Sequence, residues 1–194
     1  MASNATLTLS ADEIDDLLYF TRANEADELD QALSELAKKN QCTTKDIVEA
    51  AIDPENGNTV LHYCSANGLI KLVQQFSTLL DPIAESKLIN YQNKEGSTPL
   101  HWAAYNGHLD VVKFLIEAKA DMWLKNAAGH LAMFEAERAD KNEVVTYLLE
   151  AGGKEVERTG SEKPAGQEDE VDTEGDEEGF TMSMGDTSGP MEEA

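Results

Sequence analysis

Apolar residues recur through the middle of the chain at helical spacing, in short runs paired across a turn. Val111, Val112, Leu115 and Ile116 form a stripe at 3.6-residue spacing, and Asp110 ahead of them favours a helix start. Just upstream, Leu100, Ala103 and Ala104 mark one buried face, with alanines where a neighbouring helix must come close. Thr98 is placed to cap this earlier helix. Pro99 suits its first turn, where the N–H that proline lacks would have no intrahelical partner. Asn106-Gly107 supplies the left-handed residue that ends it. The stretch from Gly96 to Ala118 therefore predicts a helix–turn–helix unit with more apolar surface than it can bury alone.

The same pattern returns along the chain. A forward shift of 33 lays Gly129 on Gly96 and Glu143-Val-Val-Thr-Tyr-Leu-Leu on Asp110-Val-Val-Lys-Phe-Leu-Ile. A backward shift of 39 lays Gly57-Asn-Thr-Val-Leu-His-Tyr on Gly96-Ser-Thr-Pro-Leu-His-Trp, and the six surplus residues fall around Asp81 to Lys87. Ile14 to Glu25, followed by Leu29, Ala32, Leu33 and Leu36, forms a weaker opening unit. It is polar and lacks the Thr-Pro-Leu-His tetrapeptide, as suits a terminal cap. Asn40 to Pro54 reads as a connection with a helical turn at Thr44–Ala51 behind a Thr or Asp cap. In the last unit Leu131-Ala-Met-Phe134 replaces Thr98-Pro-Leu-His101, and Ala151-Gly-Gly153 reads as a helix stop. The period and the tetrapeptide resemble the ankyrin repeat. That resemblance implies an all-α ankyrin-repeat solenoid of about four helix–turn–helix repeats with capping end repeats, near residues 10–40, 55–90, 93–125 and 126–153. The repeat domain is expected over residues 1–153.

Charge narrows the partner. Among 194 residues, 38 are acidic and 15 basic, for a formal charge of −23. Phosphate-mediated nucleic-acid binding needs clustered Lys and Arg, so direct contact with nucleic acid is not expected, nor is an anionic membrane surface. A basic partner fits, although solubility alone also accounts for an acidic surface. Fourteen of the acids lie in residues 154–194, against Lys154, Arg158 and Lys163, with few large apolar side chains. This segment is expected to be a disordered acidic tail. Cys42 and Cys64 alone argue against a disulfide framework and favour an intracellular compartment. The polar start of the chain does not read as a signal peptide, and no apolar run reaches the ~20 residues of a membrane span.

Four histidines raise the question of a metal. His62 and His101 occupy one place in two repeats, where they are expected to hydrogen-bond the backbone of the next turn. No metal-ligand spacing, nucleophile elbow or glycine-rich phosphate loop is present, so neither a metal, a cofactor nor an enzyme activity is expected. Cys64 aligns with Ala103 and reads as core. Binding remains. In a curved repeat stack the turn tips and first helices line the concave face. The candidate partner-binding residues there are Glu55, Asn58, Lys94, Glu95 and His130 from the tips. From the helices come Phe20, Tyr63, Asn67, Trp102, Tyr105, Asn106, Glu135 and Arg138. Phe20, Tyr63 and Trp102 are read as equivalent aromatics; for Tyr63 and Trp102, packing between repeats is the competing reading. Tyr105 is expected to be exposed.

A more specific pattern lies in the order of the units. The Thr98-Pro-Leu-His101-Trp repeat precedes Gly129-His-x-Ala-x-Phe-Glu-Ala-Glu137 and Lys141-x-Glu-Val, then an acidic tail. The chain thereby resembles the small fungal ankyrin-repeat chaperones dedicated to the KH-domain protein of the small ribosomal subunit. His130, Phe134, Glu135 and Glu137 are the least generic matches. The resemblance implies a chaperone that binds this basic ribosomal protein, through its N-terminal region, on an acidic concave face; a capped four-repeat array can itself stand as a monomer. The chaperone would keep the client soluble, mask its RNA-binding surface and accompany it from cytoplasm to nucleus for 40S assembly. The alternative is a general ankyrin adaptor for a basic signalling or transcription factor.

Overall fold

The computed structural model describes residues 7–80 and 82–159; Asp81 and the tail residues beyond 159 lie outside them. The described residues form nine helices: α1 (Ala11–Ala23), α2 (Ala26–Asn40), α3 (Thr44–Ala50), α4 (Val60–Ala66), α5 (Ile70–Leu79), α6 (Pro99–Asn106), α7 (Leu109–Glu117), α8 (Ala132–Arg138) and α9 (Asn142–Thr159). The first helices α1, α4, α6 and α8 pack side by side in chain order, and each also packs on the helix that follows it. Leu17, Leu61, Leu100, Val112, Leu115 and Leu148 fill the space between the rows. Cys64 is fully buried there, and burial pushes its thiol well above the ordinary range, so it packs rather than reacts.

Local chemistry sets the helix ends. Thr98 precedes α6 in extended backbone, Pro99 opens it, and Gly107 closes it in the left-handed region at φ 82°. Thr43 and Asp46 form a reciprocal cap on α3. Each first helix also ends with the same bond, from an N–H five residues on. Glu25 donates to Phe20, Leu69 to Cys64, His108 to Ala103 and Lys141 to Ala136, each at 2.9 Å. These bonds fix the repeat register. Phe20 is the counterpart of Cys64 and Ala103, and Tyr19 is the counterpart of Tyr63 and Trp102. Phe20 therefore stands one residue away from the place expected from sequence, because α1 has no Thr-x-Leu-His tetrapeptide to pin the alignment.

The surplus residues carry a 3-10 turn at Ile83–Glu85, and Ile83, Leu88 and Ile89 are buried. One further expectation changes. The helix stop at Ala151-Gly-Gly153 does not occur, since α9 continues to Thr159. A Cβ on Gly152 would sit 3.3 Å from Met122 and Trp123, so this glycine serves close packing against the preceding turn. No described helix is long and apolar enough to cross a membrane.

The turn tips are tied to one another as well. Lys94 N–H donates to the Asn56 carbonyl, and Ala127 N–H to the Glu95 carbonyl, both at 2.9 Å. Gly96 sits inside this ladder at φ 71°, and a Cβ there would lie 2.6 Å from the Ala127 nitrogen. Gly96→Ala therefore combines left-handed strain with a backbone clash, and urea unfolding should show a loss of about 2 kcal/mol.

Candidate partner-binding cleft

Tips and first helices of the third and fourth repeats enclose a cleft of about 720 Å³. Lys94, Glu95 and Ser97 come from one tip; Asn126, Ala127, Ala128 and His130 come from the next. His101, Trp102 and Tyr105 from α6 and Glu135 and Arg138 from α8 form the floor and far wall.

A shared turn device holds the tips in place. Asn93 Oδ1 accepts from the N–H groups of Glu95 and Ser97 at 3.0 and 2.9 Å. Asn126 Oδ1 accepts from those of Ala128 and His130 at 3.1 and 2.9 Å. Asp53 does the same in the first full tip, accepting from Glu55 and Asn56 at 2.8 and 3.4 Å. Histidines then lock each first helix to the following tip. His101 Nε2–H donates to the His130 carbonyl at 3.0 Å, while Nδ1 accepts from the Thr98 N–H and hydroxyl at 3.2 and 2.9 Å. His62 repeats this with Ser97 and Thr59. Both rings lie among the buried residues, matching the structural role expected of them.

Glu135 is the most constrained charge in the cleft. It is only 6% exposed. Oε1 accepts from Asn126 Nδ2 and His130 Nδ1, each at 2.9 Å; Oε2 accepts from Arg138 Nε and Nη2 at 3.1 and 2.6 Å. Burial works to raise this carboxyl, but the bonds from His130, Arg138 and Asn126 outweigh it and hold the group below the ordinary carboxylate range. Arg138, so held, lies over the Tyr105 ring at 5.6 Å. His130 in turn packs against Phe134, ring centroids 4.3 Å apart and planes tilted by 42°.

Of the sequence-derived candidates, the cleft gathers Lys94, Glu95, Trp102, Tyr105, His130, Glu135 and Arg138. Tyr105 is 42% exposed, as expected. Trp102 is half-buried, and its indole Nε1–H is buried with no hydrogen-bond partner among the described residues. Lys94 Nζ is committed to the Pro54 and Glu55 carbonyls at 2.8 Å each. Glu95, which has no side-chain partner among the described residues, is the one cleft charge left uncommitted there. The cleft is thus charge-balanced, two cations against two carboxylates.

The remaining candidates lie outside the cleft. Asn58 is buried, its Oδ1 accepting from Asn93 Nδ2 at 2.8 Å, so it joins tips instead of facing a partner. Exposed Asn67 and half-buried Asn106 turn back to the Tyr63 and Trp102 carbonyls, both at 3.0 Å. Glu55 and Tyr63 belong to a neighbouring cluster. There Tyr63 donates to Asp53 at 2.7 Å and Arg22 covers the Tyr63 ring at 5.1 Å. Phe20 lies in a groove between α1 and α2. Asp53, Arg22 and Asn126 were not singled out from sequence. Asn126 was within reach as the 33-residue counterpart of Asn93, but the extra residue in the first tip hides Asp53.

The ankyrin-repeat family model (three copies) matches residues 76–159. An ankyrin repeat-containing protein of Schizosaccharomyces pombe is 33% identical over 160 residues, covering 82% of this chain and 97% of that protein. The chain belongs to the ankyrin-repeat family. The ankyrin repeat-containing protein YAR1 of Saccharomyces cerevisiae is also 33% identical, over 86% of this chain and 79% of its own length. Among solved structures, a chain in the crystal structure of the yeast ribosomal protein Rps3 in complex with its chaperone Yar1 matches with a TM-score of 0.65 and 35% identity. It covers 73% of this chain and 94% of that one. The Thr-x-Leu-His capping and bridging bonds described above join the second, third and fourth repeats of this chain.

Proposed function

We propose that this ankyrin-repeat chain is a dedicated chaperone of the small-subunit ribosomal protein that corresponds to Rps3. The observation that carries the reading is the likeness to YAR1 over 86% of this chain, and to a chain of the Rps3–Yar1 structure over 73% of it, which extends well beyond a single repeat. The chain acts by binding rather than by catalysis. Tyr105 and Trp102 supply the apolar contact in the cleft, and Glu95 takes one basic side chain of the client. The charge of the acidic segment from residue 160 onward suits a second contact with the same basic client. Holding the client as a monomer, the chaperone screens its RNA-binding surface and travels with it between cytoplasm and nucleus.

Affinity capture from a cell extract with the full chain tests this, with bound proteins identified by mass spectrometry. The KH-domain protein of the small subunit is expected as the principal specific partner. Recovery of a basic signalling or transcription factor in its place would overturn the assignment.

A further inference from the structure

The charge-balanced cleft leaves open where the acidity of the folded part acts. Residues 11–40 carry nine acidic against three basic side chains, and they build α1 and α2. Between these helices runs a groove of about 590 Å³ that no later repeat lines. Its floor is apolar: Leu17, Phe20, Ala32 and Leu36. Its rim is Glu13, Asp16, Glu28 and Glu35, against the single cation Lys39, which is paired with Glu13 at 2.7 Å.

The repeat register explains the groove. In the interior repeats the place of Phe20 is taken by Cys64 and Ala103, both fully buried. In the first repeat that place holds a large aromatic that is only half-buried. This end of the array therefore offers helix-packing surface with no repeat seated on it. We infer that the α1–α2 groove docks a basic amphipathic helix of the client. The inference rests on the functional reading above. Charge selects this occupant over the alternatives. A second copy of the chain, at −23, would meet the rim with like charge, and so would the chain's own acidic segment beyond residue 159. A helix with an apolar stripe and Lys or Arg beside it meets both floor and rim.

The test uses the full chain and two synthetic Leu/Lys peptides of equal composition, each roughly 18 residues or about five helical turns long. One places its leucines on a single helical face, and the other scatters them. Anisotropy titration is expected to favour the amphipathic peptide by about tenfold. The doubly reversed variant Glu28→Lys/Glu35→Lys changes two exposed helix positions and should lose about that tenfold. Amide shift changes should gather on Phe20, Ala32 and Leu36, and Tyr105→Ala should leave peptide affinity unchanged. The same double variant should hold the ribosomal client about fivefold more weakly.

Equal binding of the two peptides, shifts gathered on Trp102 and Tyr105, or an unaffected double variant would each overturn the groove. Unchanged client affinity in the double variant would overturn its assignment to the client. If capture from extract yields no ribosomal protein while the peptide results hold, the functional reading fails and the groove stands.

Discussion

His62→Ala is expected to destabilise the array by about 3 kcal/mol, lowering its melting temperature by roughly 6–12 °C. The ring is 1% exposed and joins three groups of two repeats. Nε2–H donates to the Ser97 carbonyl at 2.9 Å; Nδ1 accepts from the Thr59 N–H at 3.2 Å and the Thr59 hydroxyl at 2.9 Å. Alanine leaves buried polar groups unpaired in both repeats and opens a cavity between them. Thermal melting followed by circular dichroism checks this, and a shift under about 2 °C would mean the bridge contributes little.

The bond directions also give a pH dependence. Burial pushes the His62 imidazole down to about 4, with the Ser97 carbonyl opposing. The ring is therefore neutral at neutral pH, leaving Nδ1 free to accept. Protonation would set a donor against the Thr59 N–H. Between pH 4 and the ordinary imidazole value of 6.5 the unfolded chain holds more protons than the folded one. The His62 contribution is complete above 6.5 and is lost as the pH falls through about 4. His101 is lowered in the same direction by its burial. Urea midpoints should therefore fall between pH 7 and pH 4.5, and less steeply in His62→Ala.

Tyr105→Ala should weaken client binding by about thirtyfold, or roughly 2 kcal/mol, with little loss of fold stability. Tyr105 is the most exposed aromatic in the cleft, and it lies beneath the Arg138 guanidinium. Glu135 holds Arg138 whether or not the tyrosine is present, so the variant removes a contact surface without releasing a charge. Tyr105→Phe should bind nearly as wild type. A Tyr105→Ala variant that binds equally well would remove the cleft from the account of recognition.

How far residues spoke for themselves depended on whether their partners were near in sequence. Thr98, Pro99 and His101 carry the capping chemistry within four residues, and the return of the tetrapeptide as Thr59-Val-Leu-His62 made the stack legible. The left-handed Gly107 was legible for the same reason. Tyr19 and Phe20 form a doublet in a helix without that tetrapeptide, and only the closing bond of Glu25 to Phe20 separates their roles. Glu135 looked like an open carboxylate because one of its partners, Asn126, sits nine residues away across a tip. Its saturation, and Lys94's commitment to the neighbouring tip, leave Glu95 as the uncommitted charge of the cleft among the described residues. Gly152 read as a stop because the Met122 and Trp123 side chains that crowd it are not visible in its own helix.

The central claim is that this chain captures one ribosomal protein. Isothermal titration of the full chain with the purified KH-domain protein of the small ribosomal subunit tests it most directly. Saturable binding of one client per chain is expected, tighter than about 1 μM at low salt and weakening as salt is added. Absence of saturable binding, or binding equalled by an unrelated basic protein of similar charge, would contradict it.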